Sequence, residues 1–220
     1  MIKAVIFDMD GLMFDTESLS QQIWRQLGKE NGYFISDKLF DQLTGSNLNK
    51  TKEIFRNNFG SDFPYLELRS KKQKIMLAEI ENKGVPLKPG LKSCLNYLKD
   101  NDFILALASS SQKSVIDFYL ENADLEVEFD YIIGGDQVKH SKPDPEIFEQ
   151  CRTEIAVPAA ETIILEDSLN GVKAAVAAGI KVILVPDLVK IPAEVEALTF
   201  ATLSNLTELA PLLDDFNHLS

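Results

Sequence analysis

The chain has 220 residues, of which 45% are hydrophobic and 25% are charged, a composition typical of a soluble globular protein with a sizeable core. Its 34 acidic residues outnumber its 22 basic residues, giving a formal net charge of −12. A surface this acidic repels nucleic acid and anionic lipid, so we expect neither nucleic acid nor a membrane as a partner.

Three further features bear on the cellular location. Cys94 and Cys151 lie far apart and form no metal-ligand spacing, which favours reduced structural thiols. No apolar run approaches the roughly 20 residues of a membrane span. The first segment, MIKAVIFD, becomes acidic too soon for a signal peptide. We therefore expect a cytoplasmic protein, with a monomer as the default state.

Short, almost continuously apolar runs recur along the chain and predict buried strands. They are Ile2–Phe7, Phe103–Ala108, Tyr131–Ile133, Thr162–Leu165 and Val182–Val185, with a weaker run at Phe200–Leu203. The segments between them predict helices. They are Pro89–Asn101, Gln112–Asn122, Pro145–Ile155 and Leu169–Ala178, followed by Pro192–Ala197 and a closing helix to about Asp214. Alternating strands and helices are typical of an α/β protein with a doubly wound parallel sheet, a Rossmann-like core.

One interval breaks this alternation. About 95 residues separate the first two predicted strands, far more than a single crossover needs. This interval has apolar residues at helical spacing and no strand pattern. The simplest explanation is an all-helical domain of residues 15–85, inserted into an α/β core domain of residues 1–14 and 86–220.

Polar side chains follow the predicted strands, at the edge where open parallel sheets bind ligands. In chain order they are Asp8, Asp10, Ser109, Ser110, Lys142, Glu166 and Asp167. Carboxylates as close as Asp8 and Asp10 repel each other unless a cation lies between them or one holds a proton. Because carboxylate and carbonyl oxygens are the ligands that Mg²⁺ prefers, we expect a Mg²⁺ site at this edge.

The same set of side chains suits phosphoryl transfer through a covalent aspartate. A carboxylate can attack phosphorus, and a second acid can protonate the departing oxygen and later deprotonate water. A serine at a helix N-terminus and a lysine can hold the phosphate. Asp8 continues the strand into the crevice, whereas Asp10 lies in the turn, where its backbone carbonyl can reach the metal. Glu166 and Asp167 are adjacent and should point apart, so we favour Asp167 as the direct ligand, with Glu166 bound directly or through water.

Four motifs resemble, in order and spacing, those of the haloacid dehalogenase-like hydrolases. They read FDMDGLMFDTE, LALASSS, SKPDPEIF and LEDSLNGVKAA, and the resemblance covers nearly the whole chain. The helical insertion after the first motif is similar to the α-helical cap domain of the branch that contains β-phosphoglucomutase and small sugar-phosphate phosphatases. The inserted residues 15–85 are therefore expected to be a cap domain that closes over the site and selects the substrate.

The resemblance also implies individual roles. Asp8 would be the nucleophile and Asp10 the general acid and base. Ser109 and Lys142 would hold the phosphoryl group, and Glu166–Asp167 would bind Mg²⁺. The serine run offers a second reading, in which Ser110 or Ser111 is only the N-cap of the next helix.

The cap sequence departs from the mutase pattern. Where the mutase carries a histidine soon after the first motif, this chain reads DTESLSQQIW, and its cap loop LTGSNLNKTKE has no arginine to hold a second phosphate. Both differences favour a phosphatase acting on a small phosphorylated metabolite such as a sugar phosphate. A phosphomutase that uses the same residues and a receiver-like phospho-acceptor domain remain as alternatives. Candidates for substrate contact in the cap are Gln21, Asn47, Lys50 and Lys52.

Overall fold

The computed structural model describes residues 1–43, 48–188 and 191–218. The chain separates into two compact units, of which one comprises Met1–Asp15 and Pro86–Ser220 and the other Thr16–Val85. Within the described ranges, no helix is both long enough and apolar enough to cross a membrane.

Six strands of the described residues form the sheet of the first unit. They are β1 Ala4–Phe7, β2 Ile104–Ser109, β3 Tyr131–Gly134, β4 Thr162–Glu166, β5 Lys181–Leu184 and β6 Ala201–Thr202. Their order across the sheet is β3-β2-β1-β4-β5-β6, and every neighbouring pair is parallel. The first strand in sequence is therefore central, between β2 and β4. Its complete burial explains why its sequence is continuously apolar.

The helices of the described residues follow the predicted segments, with differences of a few residues at their ends. They are α1 Thr16–Glu30, α2 Asp37–Leu43, α3 Leu48–Phe59, α4 Tyr65–Lys83, α5 Leu91–Asp100, α6 Lys113–Glu121, α7 Glu146–Glu154, α8 Leu169–Ala177, α9 Ala193–Glu196 and α10 Leu209–His218. Helices α1 to α4 belong to the second unit, and the others belong to the first.

Helices cover both faces of the sheet. Ile6 of β1 lies in one buried cluster with Phe148 of α7 and Val172 of α8. The alternate residues Val5 and Phe7 point to the opposite face and are equally buried. The Phe7 ring also meets the Phe129 ring edge-on, with 5.9 Å between the centroids. The predicted α/β fold with a doubly wound parallel sheet is confirmed.

The second unit has an aromatic core of its own. Trp24 of α1 packs against Phe55 of α3, with ring centroids 4.7 Å apart, and Phe55 stacks on Phe63 at 5.1 Å. Leu68 of α4 is fully buried in the same cluster. All the buried residues of this cluster belong to the second unit.

Candidate active site

The strand register brings the ends of three strands to one level. Phe7 of β1 pairs with Leu107 of β2 on one side and with Leu165 of β4 on the other. Asp8 therefore leaves the sheet at the same level as Glu166, the last residue of β4. This is the carboxyl edge of a parallel sheet, where such folds bind their ligands.

The Lys142 ammonium lies buried between two carboxylates. Its Nζ is 2.6 Å from Asp8 Oδ1, 2.7 Å from Glu166 Oε1 and 3.1 Å from the Ala108 carbonyl oxygen. Only 4% of the lysine side chain is exposed. Burial alone would lower the pKa of Lys142, but the two carboxylates outweigh burial and raise that pKa above its usual value. Lys142 is thus a fixed positive charge beside Asp8.

The loop that carries Lys142 is held by Glu146 at the start of α7. Its two carboxylate oxygens accept the backbone N–H groups of Lys139, at 3.0 Å, and His140, at 2.9 Å. The His140 ring nitrogen Nδ1 lies 2.9 Å from the same carboxylate. These contacts fold the loop back onto α7 and bring Lys142 towards the sheet edge.

Three carboxylates crowd around this one ammonium. Asp8, Glu166 and Asp167 each offer an oxygen within 4.8 Å of the others. Burial raises the pKa of Asp8 to about 7, although Lys142 opposes the shift. Burial also raises the pKa of Asp167 well above its usual value, and the charges of Glu166 and Asp8 add to the increase. Excess negative charge on hard oxygen donors fits a small divalent cation such as Mg²⁺.

Glu166 is fully buried, and both of its carboxylate oxygens accept hydrogen bonds from the protein. Oε1 accepts from Lys142, and Oε2 accepts from the backbone N–H groups of Asp167 and Ser168, each at 3.0 Å. The Ser168 hydroxyl donates to the same oxygen at 2.9 Å and caps α8 by accepting the Gly171 N–H at 3.0 Å. Glu166 therefore fixes both Lys142 and the turn that leads into α8.

Replacing Gly171 with alanine should damage this arrangement, because a Cβ at position 171 would overlap the Glu166 carboxylate. Alanine normally stabilises a helix relative to glycine by about 1 kcal/mol. We instead expect Gly171→Ala to lower the free energy of unfolding by about 1–3 kcal/mol through overpacking. Urea unfolding measures the change, with Lys173→Ala on the exposed side of α8 as the control. A stabilised Gly171→Ala variant would contradict the packing described here.

The turn after β1 packs against Asp167. Gly11 has a φ of +85°, and a Cβ there would overlap Asp167 Oδ2. Asp187, in the loop after β5, also faces Gly11 and forms an ion pair with Lys88. This ion pair could not be predicted from the sequence, because 99 residues separate its members.

The N-cap expected from the serine run is not formed. Helix α6 begins at Lys113, and its N-cap residue is Gln112. The Lys113 N–H donates to Asp136 Oδ1 at 2.8 Å, so an aspartate from another loop satisfies this helix end. The prediction that Ser110 or Ser111 caps the helix is therefore wrong.

The serine run instead faces the first motif. The Ser111 hydroxyl donates to Asp10 Oδ2 at 2.8 Å, and its N–H donates to Ser109 Oγ at 3.0 Å. Ser109 is 1% exposed, whereas Ser110 is exposed. The contact between Ser111 and Asp10 was not predicted from the sequence.

These elements surround an open recess of about 220 Å³. It is lined by Asp8, Asp10, Ser109, Ser110, Lys142, Asp167, Ser168 and Asn170. The structure thus brings together all the site residues predicted from the sequence. All of them line the recess except Glu166, which is fully buried and joins the group through its contact with Lys142. Asn170, in the first turn of α8, was not predicted.

The geometry of the site agrees with the family to which the sequence is similar. The sequence model of the haloacid dehalogenase-like hydrolases matches residues 5–185. The chain belongs to this family. The matched residues include all four motifs, and the predicted family is confirmed. This haloacid dehalogenase-like hydrolase is an enzyme, as predicted.

Named relatives of this haloacid dehalogenase-like hydrolase include phosphatases. The phosphorylated carbohydrates phosphatase of Thermotoga maritima is 31% identical over 183 residues, which cover 82% of this chain and 83% of the relative. Hexitol phosphatase B of Escherichia coli is 28% identical over 187 residues, 84% of each chain. The crystal structure of CbbY from Rhodobacter sphaeroides with phosphate has a TM-score of 0.73 and 25% identity, covering 95% of this chain and 96% of that chain.

Proposed function

We propose that this hydrolase is a Mg²⁺-dependent phosphatase that acts on a small phosphorylated metabolite through an aspartyl phosphate on Asp8. One observation carries the proposal. Asp8 lies in the recess with the Lys142 ammonium 2.6 Å from one of its oxygens, and an oxygen of the Asp167 carboxylate lies within 4.8 Å of an Asp8 oxygen. A phosphoryl group at this point would meet a nucleophile, a fixed positive charge and a metal-binding acid together.

The first step forms the covalent intermediate. Asp8 attacks phosphorus, a new P–O bond forms, and the ester P–O bond breaks with its electron pair going to the leaving oxygen. Asp10 gives that oxygen its proton, so the product leaves as an alcohol. Lys142 holds the phosphoryl oxygens, and Ser109 and Ser110 at the end of β2 support them.

The second step clears the intermediate. Water attacks the phosphorus of the aspartyl phosphate, and Asp10, now ionised, takes the proton of the water. The bond between phosphorus and Asp8 breaks, which returns the carboxylate and releases inorganic phosphate. Asp10 ends the cycle protonated, ready for the next substrate.

We infer that the metal would bind among the oxygen donors that line the recess. Asp8, Asp167 and the backbone carbonyl of Asp10 would hold Mg²⁺, which when bound neutralises charge on the phosphoryl oxygens. Glu166 is already occupied by Lys142 and by the turn into α8. We therefore assign Glu166 to positioning these groups rather than to direct ligation.

We further propose that the unit Thr16–Val85 is a cap domain that selects the substrate. The relatives named for phosphorylated carbohydrates and for hexitol phosphates support a phosphorylated sugar or polyol. Of the candidate contact residues, Lys50 is exposed and forms an ion pair with Glu53 at 3.2 Å. Asn47 lies outside the described residues.

Phosphate release across a panel of hexose phosphates, hexitol phosphates and nucleotides tests the proposal. We expect a preference of about 10-fold or more in kcat/KM for a sugar or polyol phosphate. A chelator should abolish turnover, and added Mg²⁺ should restore it. Full turnover in chelator would exclude the metal-dependent mechanism.

Mg²⁺ should stabilise the protein more strongly as the pH rises. Because the pKa of Asp8 is raised to about 7, the metal-free folded state binds a proton that the unfolded chain releases near pH 4. The stability that this group contributes is therefore lost as the pH rises towards 7. Mg²⁺ needs the ionised carboxylates, so its effect grows over the same interval.

Thermal unfolding with and without Mg²⁺ measures this effect. With Mg²⁺ at about 100 times its Kd, we expect a stabilisation of about 2.7 kcal/mol at about pH 8 and a much smaller one at about pH 5. Asp8→Asn removes a titrating ligand and should reduce both the shift and its pH dependence. An equal shift in Tm at both pH values would contradict the assignment.

A further inference from the structure

The Ser111 hydroxyl donates a 2.8 Å hydrogen bond to Asp10 Oδ2. The two residues lie on different loops, 101 positions apart in sequence, and both are half-buried. This bond joins the end of β2 to the turn after β1. It therefore restricts rotation of the carboxyl group to which the proposed mechanism assigns proton transfer.

The backbone of Ser111 is itself held from two sides. Its N–H donates to Ser109 Oγ at 3.0 Å, and its carbonyl oxygen accepts the Gly135 N–H at 2.8 Å. Gly135 follows β3, and a Cβ at that position would overlap the Ser110 carbonyl oxygen. Close packing of two neighbouring loops thus fixes the position from which the Ser111 hydroxyl reaches Asp10.

We propose that Ser111 is a positioning residue for proton transfer by Asp10. The inference deepens the proposed function and rests on it. A hydroxyl can donate to a carboxylate and accept from a carboxylic acid, so it can keep its partner through both protonation states. Such a partner suits an acid that gives up a proton in one step and recovers it in the next.

The leaving group provides the test. In the first step Asp8 bonds to phosphorus, the ester P–O bond breaks, and an alkyl leaving oxygen needs the proton from Asp10. The oxygen of p-nitrophenol leaves as a stable anion and needs little protonation. Since kcat/KM covers events up to the first irreversible step, comparing a hexitol phosphate with p-nitrophenyl phosphate isolates this proton transfer.

We expect Ser111→Ala to lower kcat/KM by about 10-fold to 100-fold on the hexitol phosphate and by less than about 2-fold on p-nitrophenyl phosphate. Ser111→Thr, which keeps the hydroxyl, should retain most of the activity on both. Ser111→Cys keeps the size with a weaker donor and should repeat the selectivity of alanine. The control is Ser114→Ala, an exposed serine in the first turn of α6.

Two further variants, Asp10→Asn and Asp8→Asn, distinguish a failure of the Ser111 proposal from a failure of the phosphatase mechanism. Asp10→Asn should give the same selectivity at larger amplitude, whereas Asp8→Asn should be inactive on both esters. Suppose that Asp10→Asn is selective, but that Ser111→Ala loses equal activity on the two esters or changes only KM. That result would overturn the role of Ser111 and leave the phosphatase mechanism standing. An unselective Asp10→Asn or an active Asp8→Asn would overturn both.

Discussion

Asp8→Asn should abolish phosphate release, with a loss of about 10⁴-fold or more in kcat. Asparagine has nearly the same shape as aspartate but cannot attack phosphorus to form an acyl phosphate. The substitution also removes one of the carboxylates that crowd the Lys142 ammonium, which keeps its contact with Glu166. The fold should therefore survive, and the kinetic loss should arise from the chemistry.

Steady-state assays and thermal unfolding of the same preparation separate these two effects. Asp187→Asn is the matched control, since it removes an acid beside Gly11 that is not a member of the Asp8 cluster. We expect this control to retain measurable turnover. Residual Asp8→Asn activity within about 10-fold of the native rate would mean that another group attacks phosphorus.

Lys142→Met should reduce both activity and stability. The lysine is 4% exposed, and its removal leaves the Asp8 and Glu166 carboxylates buried without a counter-ion. Breaking a buried ion pair from one side typically costs about 3–5 kcal/mol. We expect a loss of this size in the free energy of unfolding, together with a loss of about 10³-fold in kcat/KM from the missing phosphate ligand.

Urea unfolding and phosphate-release assays measure the two losses, with Lys139→Met on the exposed part of the same loop as the control. The double variant Lys142→Met/Glu166→Gln should recover much of the stability, because one uncompensated charge is neutralised, but none of the activity. If Lys142→Met is as stable as Lys139→Met, the buried ammonium does not compensate these carboxylates.

The positions of the strands and of the main site residues could be predicted because each depends on a local pattern. Asp8 follows a continuously apolar strand, and Asp167 follows another. Parallel strands bring such positions to one edge, whatever the details of the loops. Helical spacing without a strand pattern was likewise enough to indicate that Thr16–Val85 is helical, as the described residues of that unit are.

Contacts between distant loops could not be predicted, because the sequence does not contain their geometry. Glu166 was predicted to bind Mg²⁺ directly or through water, and this stays a prediction. The hydrogen bonds that its two oxygens accept from Lys142 and from Ser168 were not predicted. The expected serine N-cap of α6 is replaced by Asp136, which reaches the helix from the loop after β3. The bond between Ser111 and Asp10 likewise depends on how two loops meet.

The stereochemical course at phosphorus tests most directly whether Asp8 carries the phosphoryl group during turnover. A substrate whose phosphorus is made chiral with oxygen isotopes and sulfur should give thiophosphate with retained configuration, because two in-line displacements each invert it. Inversion would mean that water attacks the substrate directly, without a covalent intermediate on Asp8.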